Sequence, residues 1–188
     1  MNCGVLYVVF ANYRKMKQER FFENFMLGVT QGEIPVDDRA MNIAAVHKLA
    51  NSAILSLNVL SRNLDHQIYD RSDIIEAFSK LARRNRNSSI RILIYDCTKV
   101  IKYGHRLANL ADRAPSKITI RKLPAEFTLC NESMIVADGK GYLHNPQSDR
   151  YEGNVSFNDT SRCGELNKLF TDLWNQSEIE PDLRRVPV

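Results

Sequence analysis

Short apolar runs alternate with segments of helical periodicity along most of the chain. The apolar runs predict strands at 54–60, 90–95, 117–122, 134–137 and 141–144. Apolar residues spaced three and four apart predict helices that begin near residues 38, 72, 98 and 161. The run Ile90–Tyr95 is almost wholly apolar, as expected of a strand covered on both faces. This order of elements predicts an α/β fold with a mixed, mostly parallel sheet and helices on both faces.

Glycine and proline positions suggest how the chain divides. Gly28, Gly32 and Pro35 interrupt it before the first predicted helix. We therefore expect an N-terminal arm over residues 1–36, whose structure the pattern does not define, one domain over 37–177, and a flexible tail over 178–188.

The composition is that of an ordinary globular domain, with 188 residues of which 44% are hydrophobic and 26% charged. No apolar run approaches the roughly 18 residues that a membrane span needs, so we expect no span. The four cysteines form no CxxC pair and are too sparse for a disulfide framework. We therefore expect a cytoplasmic protein with reduced thiols and with neither a metal nor a cofactor.

Positive charge is concentrated in the middle of the chain. Between Leu81 and Lys122, eleven Lys and Arg residues stand against two aspartates, a local charge of +9 in a chain whose net charge is +4. This concentration favours a nucleic acid or a small phosphate compound as partner. The alternative is a solvated basic surface without a ligand, because a charged segment becomes a patch only where the fold gathers it.

The segment from Asn131 to Asp138 carries a recognisable frame, Asn131-x-Ser133-x(4)-Asp138, in which an apolar strand precedes an Asp-Gly turn. It resembles the His-x-Lys-x(4)-Asp motif of the phospholipase D superfamily. Further similarity lies in IRILIYD at 90–96, the segment 104–121, DRYEG at 149–153 and ELNKLFTDLW at 165–174. Together these segments resemble an uncharacterised bacterial family of single phospholipase D-like domains. In some members the domain is fused to an acetyltransferase-like domain.

The resemblance implies a phospholipase D-like fold over about residues 40–176 but a degenerate motif. In the superfamily, the motif histidine attacks phosphorus and the lysine balances charge on the phosphoryl oxygens. The amide of Asn131 has no nucleophilic lone pair near neutral pH. Ser133 cannot supply a cation for the phosphoryl transition state. We therefore expect no conventional phospholipase D reaction at this site.

Other residues offer weaker candidates for chemistry. His105 follows the strand that ends at Asp96, and the pair His105-Arg106 beside Asp96 could bind or attack a phosphate. The alternative for His105 is helix capping or packing. Arg150 and His144 are further candidates for phosphate binding. For Arg150 the alternative is a loop brace, with its guanidinium paired to a neighbouring acid.

Three functions follow from these observations. The first is a non-catalytic phospholipase D-like domain that binds a phosphate-containing ligand or nucleic acid. The second is a phosphodiesterase or phosphotransferase with a relocated site around His105. The third is a homodimeric regulatory or scaffold module that serves an acetyltransferase partner.

Overall fold

One sheet of seven strands forms the centre of the protein, and this computed structural model describes residues 21–129, 131–181 and 183. The strands are β1 (Glu33–Val36), β2 (Ser56–Ser61), β3 (Ser89–Ile94), β4 (Ile118–Lys122), β5 (Ser133–Ala137), β6 (Gly141–Asn145) and β7 (Gly153–Ser156). The described helices are α1 (Arg39–Ser52), α2 (His66–Tyr69), α3 (Ser72–Arg84), α4 (Thr98–Tyr103), α5 (Arg106–Arg113) and α6 (Thr160–Gln176). A 3-10 turn covers Ala125–Leu129.

The strands lie in the order β1-β7-β6-β5-β2-β3-β4. The predicted mixed α/β fold is confirmed, but the expectation of a mostly parallel sheet is wrong. Only β2–β3 and β3–β4 are parallel, and the other four pairings are antiparallel. The reason is that the tight turn at Asp138–Gly139 reverses the chain between β5 and β6, and β5 itself runs against β2.

Helices cover both faces of the sheet, as predicted. Helices α1, α3 and α5 pack on one face, where Leu57 and Val59 of β2 point into the larger core. Helix α6 packs on the other face against Leu60 of the same strand. The alternation along β2 follows from the two-residue period of a strand.

Residues on either side of the predicted domain also pack against it. Strand β1 falls within the expected N-terminal arm and pairs with β7, and Phe22 is 1% exposed. At the other end, Glu178 forms a bridge to Lys122, and Leu183 is buried. Residues 1–20, 130, 182 and 184–188, and whatever the sequence predicts for them, lie outside the described residues. No helix among those described is long and apolar enough to cross a membrane.

The helix that the pattern predicts from Thr98 is divided in two. Gly104 adopts a φ of 75°, in the left-handed region that glycine tolerates, and α4 ends there. His105 then caps α5, because its Nδ1 accepts a hydrogen bond from the backbone N–H of Leu107 at 3.1 Å.

The two ends of the strands define two edges of the sheet. The carboxyl ends of β2, β3, β4 and β6 and the amino end of β5 lie together at what we call the carboxyl edge. The amino ends of β2, β3 and β4 and the turn between β5 and β6 lie at the opposite, amino edge. In open α/β sheets, ligands bind at the carboxyl ends of strands, so the carboxyl edge is the place to look for a site.

Candidate functional site

A cavity of about 460 Å³ opens at the carboxyl edge. Its walls come from the first turns of α1, from the segment between β2 and α2, from the start of β5, and from the segment after β6. The polar side chains that line it include Asn42, Arg62, Asp65, His66, Lys99, Ser133, Asn145, Ser148, Asp149, Arg150 and Tyr151. A volume of this size suits a small organic ligand.

Two buried amides close one side of this pocket. Asn145 donates from Nδ2 to Oδ1 of Asn42 at 3.0 Å. Asn42 in turn donates to the carbonyl oxygens of Tyr151 at 2.7 Å and Asp38 at 2.9 Å. Since buried polar groups are costly unless they are hydrogen-bonded, these bonds fix the start of α1 against the segment after β6.

Tyr151 forms a rigid wall of the same pocket. Its hydroxyl donates to Oδ2 of Asp65 at 2.6 Å, while Oδ1 of Asp65 accepts from the backbone N–H of Gln67 at 2.9 Å. Burial, followed by this hydrogen bond, raises the pKa of Tyr151 to about 12. The phenol therefore stays protonated and holds α2 in place.

The two degenerate motif positions lie at this pocket. Ser133 lines it directly. Asn131 lies beside it, where its Oδ1 accepts from Nη1 of Arg62 at 2.8 Å and from the hydroxyl of Ser148 at 2.6 Å. Its Nδ2 donates to Asp149 at 3.1 Å. The amide at the expected nucleophile position thus acts as a hydrogen-bonding hub that orients an arginine.

Three cationic side chains line the pocket: Arg62, Lys99 and Arg150. Arg150 is exposed and lies 4.0 Å from Glu152, a distance that gives a weak surface ion pair. The acids on the lining, Asp65 and Asp149, already accept hydrogen bonds from Tyr151 and Asn131. Among the described residues, no ion pair joins Asp65 or Asp149 to any of the three cations, which leaves the cations available to an anion that enters the pocket.

His105 lies outside the pocket lining, beneath α2. Its side chain is wholly buried, Nδ1 accepts from Leu107, and Nε2 lies 3.1 Å from the carbonyl oxygen of Leu64. Since Nδ1 is an acceptor, Nε2 carries the proton and donates it to Leu64. Burial lowers the pKa of His105 to about 4, against the opposing effect of Asp70. The imidazole is therefore neutral near pH 7.

Within the described part of the chain, one cluster has the geometry of a metal site. It consists of His66, Asp70 and His105, whose ligand atoms lie within 4.8 Å of one another. The hydrogen bonds of His105 argue against this use. The lone pair of its Nδ1 accepts from Leu107, and its Nε2 carries a proton. Since a metal needs a free imidazole lone pair, the cluster does not fit a cation in this arrangement.

Two other candidates from the sequence lie near the carboxyl edge without lining the pocket. Asp96 accepts from the backbone N–H of Thr98 at 2.8 Å. Its pKa is lowered mainly by a hydrogen bond to the Thr98 side chain and next by this backbone bond. The backbone N–H of Arg106 donates to Asp70 at 2.6 Å, and the Arg106 side chain is exposed. The structure thus keeps Asp96, His105 and Arg106 along one connection but brings none of them into the pocket.

The last two candidates lie elsewhere. His144 belongs to the face of the sheet that α6 covers, and its Nε2 lies 2.9 Å from Oε2 of Glu132. This contact is the main cause of the lowered pKa of Glu132. Asp138 lies at the amino edge, a strand's length from Ser133, and its carboxylate accepts from three backbone N–H groups of residues 54–56.

Arg62, Lys99 and His66 are pocket residues that the sequence reasoning missed. Arg62 directly follows the last residue of β2, so the rule that ligands bind at carboxyl ends of strands would have found it. Lys99 lies in the first turn of α4, the helix that follows β3. His66 gave no signal, because its place depends on how α2 packs.

The basic middle of the chain is divided among three surfaces. Lys99, Lys102 and Arg106 lie toward the carboxyl edge, and Arg83, Arg84, Arg86, Arg113 and Lys117 lie toward the amino edge. Arg91 and Arg121 lie over the Trp174 ring of α6, at 5.5 Å and 4.6 Å from its centroid. The local charge of +9 is therefore not a single patch.

The arrangement of sheet and helices is that of the phospholipase D superfamily. The phospholipase D family member Nuc from Salmonella typhimurium aligns with a TM-score of 0.60 and 15% identity, over 79% of this chain and 97% of that one. NucT from Helicobacter pylori aligns with a TM-score of 0.58 and 13% identity, over 79% and 99%. The archaeal chromatin protein TrmBL2, whose structure shows a mode of DNA binding, aligns with a TM-score of 0.62 and 11% identity, over 94% and 65%.

The sequence itself places the chain more narrowly. Residues 38–186 match the family described as a domain of unknown function, DUF7931, and the chain belongs to that family. No curated protein is significantly similar to it.

Proposed function

We propose that this protein is a binding domain that holds the phosphate group of a ligand in the carboxyl-edge pocket and does not form a phosphohistidine there. The observation that carries the proposal is the state of Asn131. Its amide stands where the superfamily has its nucleophile, and it orients Arg62 by a 2.8 Å hydrogen bond. A guanidinium fixed in this way is suited to bind two phosphate oxygens at once.

The rest of the pocket supports binding more than turnover. Lys99 and Arg150 add positive charge, and the hydroxyls of Ser133 and Ser148 add donors for phosphoryl oxygens. Neither an amide nor a serine hydroxyl without an adjacent base is a competent nucleophile. The volume of about 460 Å³ suits a small phosphorylated molecule or the terminal nucleotide of a strand. A nucleic acid would thus enter by its end.

Calorimetric titration tests this proposal with inorganic phosphate, a nucleoside monophosphate and a 5′-phosphorylated oligonucleotide. We expect binding that weakens with salt, and a loss of tenfold or more in affinity for Arg62→Ala. Arg83→Ala, on the amino edge, is the matched control and should bind as wild type does. No binding by any of the three probes at low salt, or equal affinities for wild type and Arg62→Ala, would refute the proposal.

A relocated phosphodiesterase or phosphotransferase is the second candidate. His105 would need to leave its hydrogen bonds with Leu64 and Leu107 to act as nucleophile. His66, by contrast, lines the pocket, and its Nδ1 lies 3.7 Å from Asp70. Turnover of a generic phosphodiester that is lost in a folded His66→Ala or His105→Ala variant would favour this candidate. Equal background rates in wild type and both variants would dismiss it.

The third function, a homodimeric module that serves an acetyltransferase, stays a prediction, as does a cytoplasmic location. Light scattering on the purified chain tests the dimer, and a strict monomer would contradict it. Cell fractionation tests the location.

A further inference from the structure

The amino edge of the sheet exposes apolar side chains that nothing in the described chain covers. Ile54 and Leu55, between α1 and β2, are 48% and 53% exposed. Met26 and Val29, in the turns before β1, are each 58% exposed. These four are a majority of the seven large hydrophobic side chains exposed among the described residues. Scattered single exposures are ordinary, but four on the connections of one edge form a patch.

Hydrogen bonds and a packing contact connect the two apolar pairs into one surface. Asp138, in the turn between β5 and β6, accepts from the backbone N–H of Ile54 at 2.8 Å. Two residues further on, the Lys140 side chain packs against Gly28, where an added Cβ would lie 2.9 Å from its Cδ. The backbone N–H of Gly28 donates to the carbonyl oxygen of Phe157 at 2.6 Å. The β5–β6 turn therefore lies between Met26 and Val29 on one side and Ile54 and Leu55 on the other.

Cations surround the same surface. They are Lys48, Lys80, Arg83, Arg84, Arg86, Arg113, Lys117 and Lys140. Lys117 is tied to this edge because its Nζ donates to the carbonyl oxygen of Asn85 at 3.0 Å, and Asn85 donates to that of Ile54 at 2.9 Å. The carboxylates nearby are Glu23, Glu33, Asp112, Asp138 and Asp159. That of Glu33 accepts from the Tyr142 hydroxyl, and those of Asp138 and Asp159 accept backbone N–H bonds. Positive charge therefore prevails along the edge.

We propose that the amino edge is a docking surface for an anionic lipid bilayer. Anionic headgroups attract the cations, and the four apolar side chains can insert at the boundary between headgroups and acyl chains. A nucleic-acid backbone would attract only the cations and would leave the apolar side chains in water. The combination of both features on short connections therefore favours a bilayer. The carboxyl-edge pocket lies about 17 Å away along β2 and stays open to ligand when the amino edge docks.

Vesicle sedimentation tests the docking surface with the full chain. The probes are vesicles of phosphatidylcholine alone and vesicles that also contain phosphatidylglycerol. We expect the protein to pellet with the second kind only, and less as salt is raised. The double variant Arg83→Glu/Arg86→Glu should bind at least tenfold more weakly, and Ile54→Ser/Leu55→Ser should lose affinity by a similar factor. Both pairs are exposed, so the fold should persist, which circular dichroism checks.

Matched controls lie away from the amino edge. Tyr103→Ser removes a side chain that is 69% exposed at the end of α4, and Lys102→Glu reverses an exposed charge on the same helix, toward the carboxyl edge. Both should pellet as wild type does. Absence of pelleting with anionic vesicles, or equal pelleting with neutral ones, would overturn the proposal. So would full binding by Ile54→Ser/Leu55→Ser, since the edge would then be a general polyanion surface, which single-stranded DNA would reveal by displacing the protein.

Discussion

The motif aspartate is the residue whose role can be tested most directly. Asp138 accepts hydrogen bonds from the backbone N–H groups of Ile54, Leu55 and Ser56, each at 2.8 Å. Its φ of 53° lies in the left-handed region, which aspartate and asparagine tolerate better than alanine does. It thus joins the turn after β5 to the start of β2. We predict that Asp138→Ala destabilises the fold and that the residue has no direct part in ligand binding.

The size of the effect follows from these contacts. A hydrogen bond to a charged group contributes about 1.5–3 kcal/mol. The three bonds share one carboxylate, and the exposed N–H groups of Ile54 and Leu55 regain water, so their sum is well below three times that value. Adding about 1 kcal/mol for alanine in the left-handed region gives a loss of about 3 kcal/mol. For a chain of this length, we expect a fall in Tm of about 6–12 °C.

Urea unfolding followed by circular dichroism measures the loss, and Asp138→Asn is the matched control. The asparagine keeps an acceptor for two of the N–H groups and tolerates the backbone conformation, so it should cost about 1 kcal/mol. Both variants, when folded, should bind pocket ligands as wild type does. An unfolding free energy for Asp138→Ala within about 0.5 kcal/mol of wild type would refute the structural role. Lost ligand affinity in folded Asp138→Asn would refute its separation from the site.

Further predictions concern packing and pH. Gly153→Ala should destabilise by more than about 2 kcal/mol in urea unfolding, because its Cβ would lie 3.0 Å from Asn145 Cα and closer still to the carbonyl oxygen of His144. Gly164→Ala, inside α6 with no atom within 4 Å, should instead stabilise by about 0.5–1 kcal/mol, and a loss of stability in this variant would contradict that expectation. Burial lowers the pKa of His105 to about 4, so its stabilising effect is complete above about pH 6.5 and is lost as the pH falls toward 4. His105→Asn keeps a cap acceptor without titrating, and its unfolding free energy should fall less over this range; an equal fall would refute the assignment.

The sequence pattern predicted strands better than it predicted their directions. The run at 90–95 corresponds to β3, and the Asp-Gly turn joins β5 to β6 as expected. Apolar periodicity does not show which strands pair when they are distant in the chain. The antiparallel pairing of β2 with β5 therefore could not be predicted from it. Local signals fix elements, whereas the order of strands depends on packing that spans the whole chain.

The candidate site shows the same division. The motif frame pointed to Asn131 and Ser133, and both lie at the pocket. The concentration of basic residues between Leu81 and Lys122 predicted the site less well. This segment runs from one edge of the sheet to the other, so its basic residues are distributed over both edges. From the sequence alone, His105 was a candidate for binding or attacking a phosphate. Only the fold reveals that its two ring nitrogens are occupied by backbone groups.

The two outermost strands of the sheet, β1 and β4, are both poorly suited to pair with an added strand. On one side, β1 has four residues, and Pro35 has no N–H to offer a neighbour. On the other, Glu178 exchanges two backbone hydrogen bonds with Lys122, at 2.8 and 2.9 Å, so β4 is partly occupied. We therefore expect two copies to associate through helices or connecting segments rather than by pairing their sheets. Truncation before Glu178 would expose the backbone of β4 and promote aggregation.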